Sequence, residues 1–588
     1  MRPTPRFAIR MGAAALAVAA FVIAWFAFFR QEIDPSVVRA SPTTKSEPQV
    51  LFDKWPQDRK PDLVLVVTGQ MYGYLQKCGC SSPQKGGLER RYNFIESLKA
   101  RGWEVVGLDV GDVPRPLPYT PTSQQTLTKY ETAMQAMKLM GYKAVTVGKE
   151  ELAMPLLQAL TKYTVQKGNE FPRIHAANIA NRGEFPGDQP GGSALTESDV
   201  ITAKTGLSVG VVGVAGAELI QKGVDRDVKY NPDTGKVVAG ILDGWNKAGQ
   251  APDVKVLLYQ GPFEWTDPGT NLRADAQTAA KGFPQFNIII CKTPDESDGP
   301  NVPTVVEGVN PDTKQPSASM ICQVGQKGQN VGVVGIYKGA KGIELYYQRV
   351  AMTDEFDTAA DKEAGHPILK LLQDYADTVK DNDYLSAMAS KKKLHAAQAR
   401  QREAAFVGDA HCQACHQAEW MHWSTTKHGH AYDALAKVAT HPSGRNFDGE
   451  CIVCHTVGYE YQTGYLNEKK TPHLKNVQCE SCHGPGNLHV AEEQENLKKR
   501  RGHTHSHAAA LSPWKVDGVG AMPTLQRLEA MVKEKDRSKW QGMLTEAENK
   551  VYLRVYELCA QCHNIDNDPK FELAAYWQHV AHTGLKKK

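Results

Sequence analysis

The chain has 588 residues, which is too long for one hydrophobic core and favours three or four folded units. Apolar residues make up 41% of the sequence, charged residues make up 23%, and the formal net charge is +4. These values are those of an ordinary globular protein and give no indication of nucleic-acid binding. Cysteine and histidine are unevenly distributed, because eight of the 12 Cys and 16 of the 19 His lie after residue 400.

The N-terminus has the pattern of an export signal. Three arginines precede an uncharged apolar run over residues 11–29, and Arg30 closes that run. Such a run nearly spans a bilayer core of about 30 Å, whereas the apolar part of a cleaved signal peptide has only about 7–15 residues. We therefore favour an uncleaved inner-membrane anchor over 1–30, with a signal cleaved near 17–19 as the alternative. In both cases the rest of the chain faces the periplasm or the cell exterior.

A Pro-rich linker is predicted over 31–61, followed by a segment at 62–355 in which apolar strands alternate with helices. The strands are predicted at 62–68, 103–109, 144–147, 173–179, 207–214, 254–260 and 286–291. The helices between them are predicted at 87–101, 124–142 and 236–249. This alternation indicates a layered α/β sheet with right-handed crossovers. Four further strands, at 304–309, 319–324, 331–337 and 343–350, are expected to form a second sheet and so complete an α/β sandwich.

The remaining chain is predicted to be mainly helical. Residues 356–404 are expected to form a helical connector, because apolar residues recur at helical spacing over 366–388. Residues 405–588 are predicted to be a mainly α, loop-rich domain with short helices around a repeated motif.

That motif is CxxCH, and it occurs four times. Two cysteines at this spacing can form thioethers with the vinyl groups of one haem, and the following histidine is then the proximal ligand of the iron. One CxxC alone is also compatible with a redox dithiol or half a zinc site, but four copies with a fixed histidine favour haem. The sequence therefore predicts four covalently bound haem c groups. The thioether cysteines are Cys412, Cys415, Cys451, Cys454, Cys479, Cys482, Cys559 and Cys562, and the proximal histidines are His416, His455, His483 and His563.

The C-terminal segments CQACHQAEWMHWSTTKHGHAYDAL, CIVCHTVGYEYQTGY, VQCESCHGPGNLHV and CAQCH with FELAAYWQHVAH resemble the nitrifier-type tetrahaem cytochromes c, the cytochrome c-554-like family that accepts electrons from hydroxylamine oxidoreductase. The resemblance covers about residues 406–585. It implies that His428, His489 and His582 are distal iron ligands and that the haem of His455 is five-coordinate. The stretch 490–557 departs from the family. It contains His503, His505 and His507, which are expected to be a solvated loop, with a metal site as the alternative.

The segment 62–350 resembles the catalytic domain of 5′-nucleotidases among the calcineurin-like metallophosphatases. The matching stretches include VVTGQMYGYL, GGLERR, LDVGD, MGYKAVTVGKEEL and FNIIICKTPDE. Two-metal phosphatases need about seven Asp, His and Asn ligands, with metal ions about 3.5–4 Å apart. At the corresponding positions this chain has Gln70, Tyr72, Lys149, Glu150, Gln260 and 292–295, and only Asp112 is retained. The resemblance implies a degenerate domain in which Lys149 replaces metal charge beside Asp112.

Cys78, Cys80, Cys291 and Cys322 lie in the same segment, and they are expected to form disulfides in an oxidising compartment or, alternatively, to hold a metal or redox site at 78–80. The sequence thus favours a membrane-anchored, extracytoplasmic tetrahaem cytochrome for electron transfer, with the degenerate domain as a docking or scaffold module. Its expected partner is a redox protein or a quinol-linked membrane complex. The alternatives are a multihaem oxidoreductase acting on a small nitrogen compound at an open iron, and a phosphoesterase with altered ligands.

Overall fold

The structure is a computed structural model. It describes residues 46–77, 84–114, 124–153, 172–180, 195–222, 229–266, 271, 273–294, 298–340, 342–437, 444–502, 507–515, 521–564, 567–568 and 570–582. The predicted membrane anchor over 11–29, most of the Pro-rich linker, Cys78, Cys80, His503 and His505 lie outside the described residues.

The strands of the N-terminal part form two six-stranded sheets and one short antiparallel pair. The strands are β1 (Leu63–Thr68), β2 (Val105–Asp109), β3 (Tyr142–Thr146), β4 (Arg173–His175), β5 (Ile179–Ala180), β6 (Ser198–Thr202), β7 (Ser208–Ala215), β8 (Lys229–Tyr230), β9 (Val254–Gln260), β10 (Ile288–Cys291), β11 (Thr304–Val309), β12 (Pro316–Gln323), β13 (Asn330–Gly339) and β14 (Gly342–Ala351). The first sheet has the order β14-β13-β1-β2-β3-β4, and the second has the order β11-β12-β10-β9-β7-β6.

Both faces of the central strands are buried, which explains why these strands are continuous apolar runs in the sequence. In β1, Leu63 and Leu65 point into the core between the two sheets, whereas Val64 and Val66 point to the outer face of the first sheet. Successive side chains of a strand alternate between faces, so a strand covered on both sides needs apolar residues throughout. The N-terminal part is therefore a four-layer sandwich with helices outside two facing sheets.

The helices of this part are α1 (Leu88–Ala100), α2 (Gln124–Met140), α3 (Lys149–Ala153), α4 (Thr234–Lys247) and α5 (Ala276–Gly282). Helices α1 and α2 contribute to the core on the outer face of the first sheet, and α4 and α5 contribute to the core on the outer face of the second sheet. Helix α4 begins earlier than the sequence predicts, because the Asp233 carboxylate caps it by accepting a hydrogen bond from the backbone N–H of Lys236.

The prediction that the four strands after residue 304 form a separate sheet is wrong. Strands β11 and β12 extend the second sheet, whereas β13 and β14 extend the first, where β13 lies antiparallel to β1. The chain therefore leaves the second sheet after β12 and returns to the first sheet with β13. The first sheet combines the earliest strands of the sequence with the last two.

The predicted connector is helical, and the C-terminal part contains short helices and loops. These helices are α6 (Pro367–Asp381), α7 (Tyr384–Ala387), α8 (Ala396–Arg400), α9 (Asp409–Gln413), α10 (Gln417–Ser424), α11 (Ala431–Lys437), α12 (Gly449–His455), α13 (Cys479–His483), α14 (Asn487–Lys498), α15 (Leu525–Lys533), α16 (Glu546–Ala560) and α17 (Leu573–Val580). Helix α6 packs on α2, and its apolar residues complete the core outside the first sheet.

In the part of the chain that the structure describes, no helix is both long enough and apolar enough to cross a membrane. Cys291 and Cys322 are both buried and form no disulfide. Ile290 is the residue in register with Cys322, so the two thiols point to opposite faces of the second sheet. Cys322 lies in the core between the sheets and Cys291 in the outer core, which excludes a bond between them.

Candidate functional site

Each CxxCH motif forms one helical turn. In the first motif the backbone N–H of His416 donates to the carbonyl oxygen of Cys412 at 2.9 Å, and in the fourth the N–H of His563 donates to that of Cys559 at 2.8 Å. The second and third motifs lie within α12 and α13. Residues three and four positions apart share one face of a helix, so each turn directs two thiols and one imidazole to the same side.

The motifs lie side by side in the spatial order first, third, fourth, second. The thiol of Cys412 in the first motif lies close enough to Cys479 in the third for each to shift the pKa of the other. Cys482 of the third motif interacts electrostatically with both thiols of the fourth. Cys454 of the second motif lies close enough to Cys562 of the fourth to lower the pKa of the Cys562 thiol. The four motifs therefore form one continuous series.

Three of the four proximal histidines each face one of the predicted distal histidines. Two imidazoles on opposite sides of one metal ion, with metal–nitrogen bonds of about 2 Å, have ring centres about 6 Å apart. The observed ring centres lie 6.4, 6.0 and 6.0 Å apart in the pairs His416–His489, His428–His563 and His483–His582, respectively. Each pair joins residues that are distant in the sequence, and its spacing fits the two axial positions of a haem iron.

His455 of the second motif differs from the other three. In the described part of the chain, His455 makes no ring contact with another histidine. His428 is nevertheless near enough for the charge of His455 to affect the pKa of His428. Burial, with smaller contributions from His563 and His455, lowers the pKa of His428 to about 4, so its imidazole is neutral. The neutral form is the one that coordinates a metal.

Hydrogen bonds orient three of the proximal imidazoles. The Nδ1 atoms of His455 and His483 lie 2.6 Å and 2.7 Å from the carbonyl oxygens of Ala431 and Leu511. The Nδ1 atom of His563 lies 2.9 Å from a carboxylate oxygen of Asp568. When Nδ1 is hydrogen-bonded, the Nε2 lone pair is the one available to bind a metal. A carboxylate partner at Nδ1 makes the imidazole a more basic metal ligand than a carbonyl partner does.

Glu480, inside the third motif, ties that motif to the segment before the first. Its buried carboxylate accepts hydrogen bonds from the backbone N–H groups of Val407, Gly408 and Gly486. Burial raises its pKa, and the three N–H donors act in the opposite direction. The sequence analysis missed this residue, and its position between two motif cysteines gave no signal of a structural role.

Among the described residues, His489, Glu492 and Glu493 form the one cluster of metal-ligand side chains outside the motifs. His489 is the residue that faces His416, so the cluster overlaps the first motif. His507, the described member of the predicted histidine triplet, is held to this cluster by a hydrogen bond of 3.1 Å from its backbone N–H to Glu492.

In the N-terminal part, the retained Asp112 lies in the loop after β2 with a left-handed backbone φ of 57°. One of its carboxylate oxygens accepts the backbone N–H of Glu150 at 3.0 Å, and the other lies 3.6 Å from the ammonium of Lys292. Lys149 is half exposed and lies 3.8 Å from Glu150. The ammonium beside Asp112 is therefore Lys292, from the loop after β10, and not Lys149 as the sequence predicts.

Two further positions singled out in the sequence analysis, Gln70 and Gln260, are buried close to this ion pair. The Gln70 side chain accepts the backbone N–H of Thr293 at 2.6 Å and donates to the carbonyl oxygen of Thr293 at 3.0 Å. Gln260 is fully buried, and a Cβ atom at Gly148 would lie only 2.4 Å from both its amide nitrogen and an Asp112 oxygen. Gln70 is thus bound to the residue that follows Lys292, and Gln260 lies close to Asp112 beside Gly148.

Comparison with known proteins places similarity to a class of cytochrome in the C-terminal part. Residues 411–484 match the family described as cytochrome c554 and c-prime. One relative is cytochrome c-554 from Nitrosomonas europaea, to which the chain is 34% identical over 103 residues. This match covers 16% of the present chain and 44% of the relative, so the chain spans less than half of the relative's length.

The chain is also similar in fold to solved structures of a 5′-nucleotidase, a thiohydrolase and a phosphoesterase. A 5′-nucleotidase precursor from Thermus thermophilus is 19% identical with a TM-score of 0.40, and the similarity covers 54% of this chain and 59% of that one. The sulfate thiohydrolase SoxB, also from Thermus thermophilus, is 13% identical with a TM-score of 0.40 and coverages of 56% and 62%. The calcineurin-like phosphoesterase YfkN from Bacillus subtilis is 13% identical with a TM-score of 0.38 and coverages of 54% and 97%.

Replacing one distal histidine tests the histidine pairs. We expect His489→Ala to add a high-spin ferric signal equivalent to one haem, because His416 then has no imidazole opposite it. Electron paramagnetic resonance of the oxidised protein measures this. His473→Ala is the matched control, since His473 is an exposed histidine of the same region. An unchanged low-spin spectrum for His489→Ala would contradict the assignment of this pair.

Proposed function

We propose that the chain is an extracytoplasmic electron-transfer protein that carries four covalently bound haem c groups. The observation that supports this most strongly is the continuous series of four CxxCH turns, three of which have a histidine opposite the proximal one. Bound haem supplies an iron that changes its charge by one electron, and two imidazole ligands favour a low-spin centre suited to that change.

The order of the four motifs defines the proposed route of electron transfer through the protein. The first, third, fourth and second motifs follow one another through neighbouring thiols, so haems attached to them would be neighbours in that order. Cys415 of the first motif is exposed, whereas α12 of the second motif lies against the N-terminal part. Haems held in this order would supply electron transfer between the first and the second motif in either direction.

The location and partner follow from the same chemistry. Haem attachment of this type takes place outside the cytoplasm, and the apolar run over 11–29 with its flanking arginines supports export behind a retained inner-membrane anchor. A protein tethered in this way exchanges electrons with a redox protein or with a quinol-linked membrane complex.

A second function is supported by His455. An iron with one histidine can bind a small ligand, and this is the minimum requirement for catalysis at haem. The alternative proposal is therefore an oxidoreductase that acts on a small nitrogen compound at the haem of the second motif.

The N-terminal part is proposed to be inactive as a phosphoesterase and to serve as a scaffold. Its support is the ion pair of Asp112 with Lys292 and the amide bonds of Gln70, which occupy positions where the resembled enzymes hold metal ions. A bound divalent cation next to Lys292 would be repelled by the ammonium.

The number of haems is tested by intact mass. We expect the denatured protein to exceed the mass of its polypeptide by four haems, because every CxxCH turn supplies a complete attachment unit. Replacement of Cys559 and Cys562 by Ala should remove one haem. A parent protein that carries two haems or fewer would contradict the proposal.

The open iron is tested by its spin state. We expect about one haem in four to be high-spin in the oxidised protein and to become low-spin when cyanide is added, since His455 has no histidine opposite it in the described structure. An entirely low-spin spectrum that cyanide leaves unchanged would exclude the second function and leave electron transfer.

The absence of two-metal hydrolysis is tested with added manganese or zinc. We expect no hydrolysis of nucleotides, because Gln70, Tyr72, Gln260 and Lys292 cannot replace the missing ligands. Hydrolysis that appears with metal and is abolished by Asp112→Ala would mean that the domain is active.

A further inference from the structure

The N-terminal part contacts the second haem motif through a group of buried polar side chains. The Lys129 ammonium of α2 lies 2.5 Å from a carboxylate oxygen of Glu450, and the Lys129 side chain is only 4% exposed. The Gln125 side chain of the same helix donates to Asp448 at 2.9 Å and to the Tyr375 hydroxyl at 3.0 Å. The Tyr375 hydroxyl in turn donates to the second oxygen of Asp448 at 3.2 Å.

Asp448 and Glu450 lie at the N-terminal end of the second motif's helix. Asp448 is the N-cap of α12, and its carboxylate accepts the backbone N–H of Glu450 at 3.0 Å. The same short helix contains both motif cysteines and ends at His455. The residues that bind the N-terminal part thus set the position and the orientation of the turn that holds this haem.

The contact is apolar around this polar centre. Phe447, just before the cap, packs against the core outside the first sheet, and its ring also lies 5.6 Å from the ammonium of Lys380 on α6. Burial alone lowers the pKa of Lys129, but the carboxylates of Glu450 and Asp448 outweigh it and raise its pKa above the ordinary value. Lys129 therefore stays charged in a place where water screens it poorly.

Lys129 is also close to the haem attachment point, since its charge interacts with Cys451. A fixed positive charge near an iron disfavours the oxidised form, which carries one more positive charge than the reduced form. Buried charges are screened less than exposed ones, so Lys129 would act on this iron more strongly than a surface lysine does, and Glu450, its ion-pair partner, would oppose it.

We propose that Lys129, Gln125 and Tyr375 are positioning residues for the second haem motif, and that the ion pair between buried Lys129 and the more exposed Glu450 sets the reduction potential of its haem. In this proposal the N-terminal part supplies a fixed charge that shifts the reduction potential of one haem. This inference rests on the proposed function, because it requires a haem held by Cys451, Cys454 and His455.

The test is a redox titration, followed by absorption, of the full-length haem-loaded protein and its variants. We expect Lys129→Met to lower the midpoint potential of one haem, the one that binds cyanide. Glu450→Gln should raise the same potential, and the double variant should shift it less than either single change does. Lys129→Arg, which keeps the charge, should restore most of the original potential.

Two further variants control for folding and for unspecific effects. Tyr375→Phe removes only a hydroxyl group that donates to Asp448, so it should fold and lower the same potential by a smaller amount. Lys370→Met removes a charge from the exposed face of α6, where Lys370 pairs with Asp374, and should leave all potentials unchanged. Unchanged potentials in Lys129→Met and Glu450→Gln, or equal shifts of all haems, would overturn the inference.

Intact mass separates this inference from the proposed function. A parent protein with two haems or fewer contradicts the proposed function. A parent with four haems, whose midpoint potentials do not respond to Lys129 or Glu450, contradicts only the electrostatic role of the interface.

Discussion

The covalent spacing of two cysteines and a histidine within one helical turn is the constraint on which the C-terminal part depends. Each turn fixes three side chains on one face, and the remaining backbone has to bring a second imidazole to three of these faces from a distant segment. Short helices and loops can do this because each needs to deliver only one residue. The apolar clusters of this region are correspondingly small, with Tyr432, Ile452 and Tyr465 at the centre of one of them.

The N-terminal part obeys a different constraint, the burial of both faces of two sheets. Gln70, Asp112 and Lys292 lie just after β1, β2 and β10, respectively, and Gln260 is the last residue of β9, so these four side chains lie at neighbouring strand ends. The ion pair with Asp112 neutralises a carboxylate that burial would otherwise destabilise. The sandwich thus keeps its shape, and its outer helices α2 and α6 present the surface on which the second haem motif lies.

The sequence predicts features set by local spacing and misses those set by distant partners. The β1 and β9 strands were predicted because they are continuous apolar runs, and the motif turns because CxxCH carries its own geometry. The edge strand β6 was missed, since its half-exposed side chains give no such run. Likewise Lys149 and Lys292 are equally plausible partners of Asp112 until the loops are placed. The Lys129–Glu450 pair spans 321 residues, and nothing near either residue indicates the other.

The contacts between thiols of different motifs have a consequence for biogenesis. Two thiols in van der Waals reach can be oxidised to a disulfide in an oxidising compartment, and a bond between Cys412 and Cys479 or between Cys454 and Cys562 would disable two motifs at once. Such bonds form only after the chain has brought these cysteines together. If these cysteines carry haem as proposed, we expect the thiols to be kept reduced and modified before the motifs pack together.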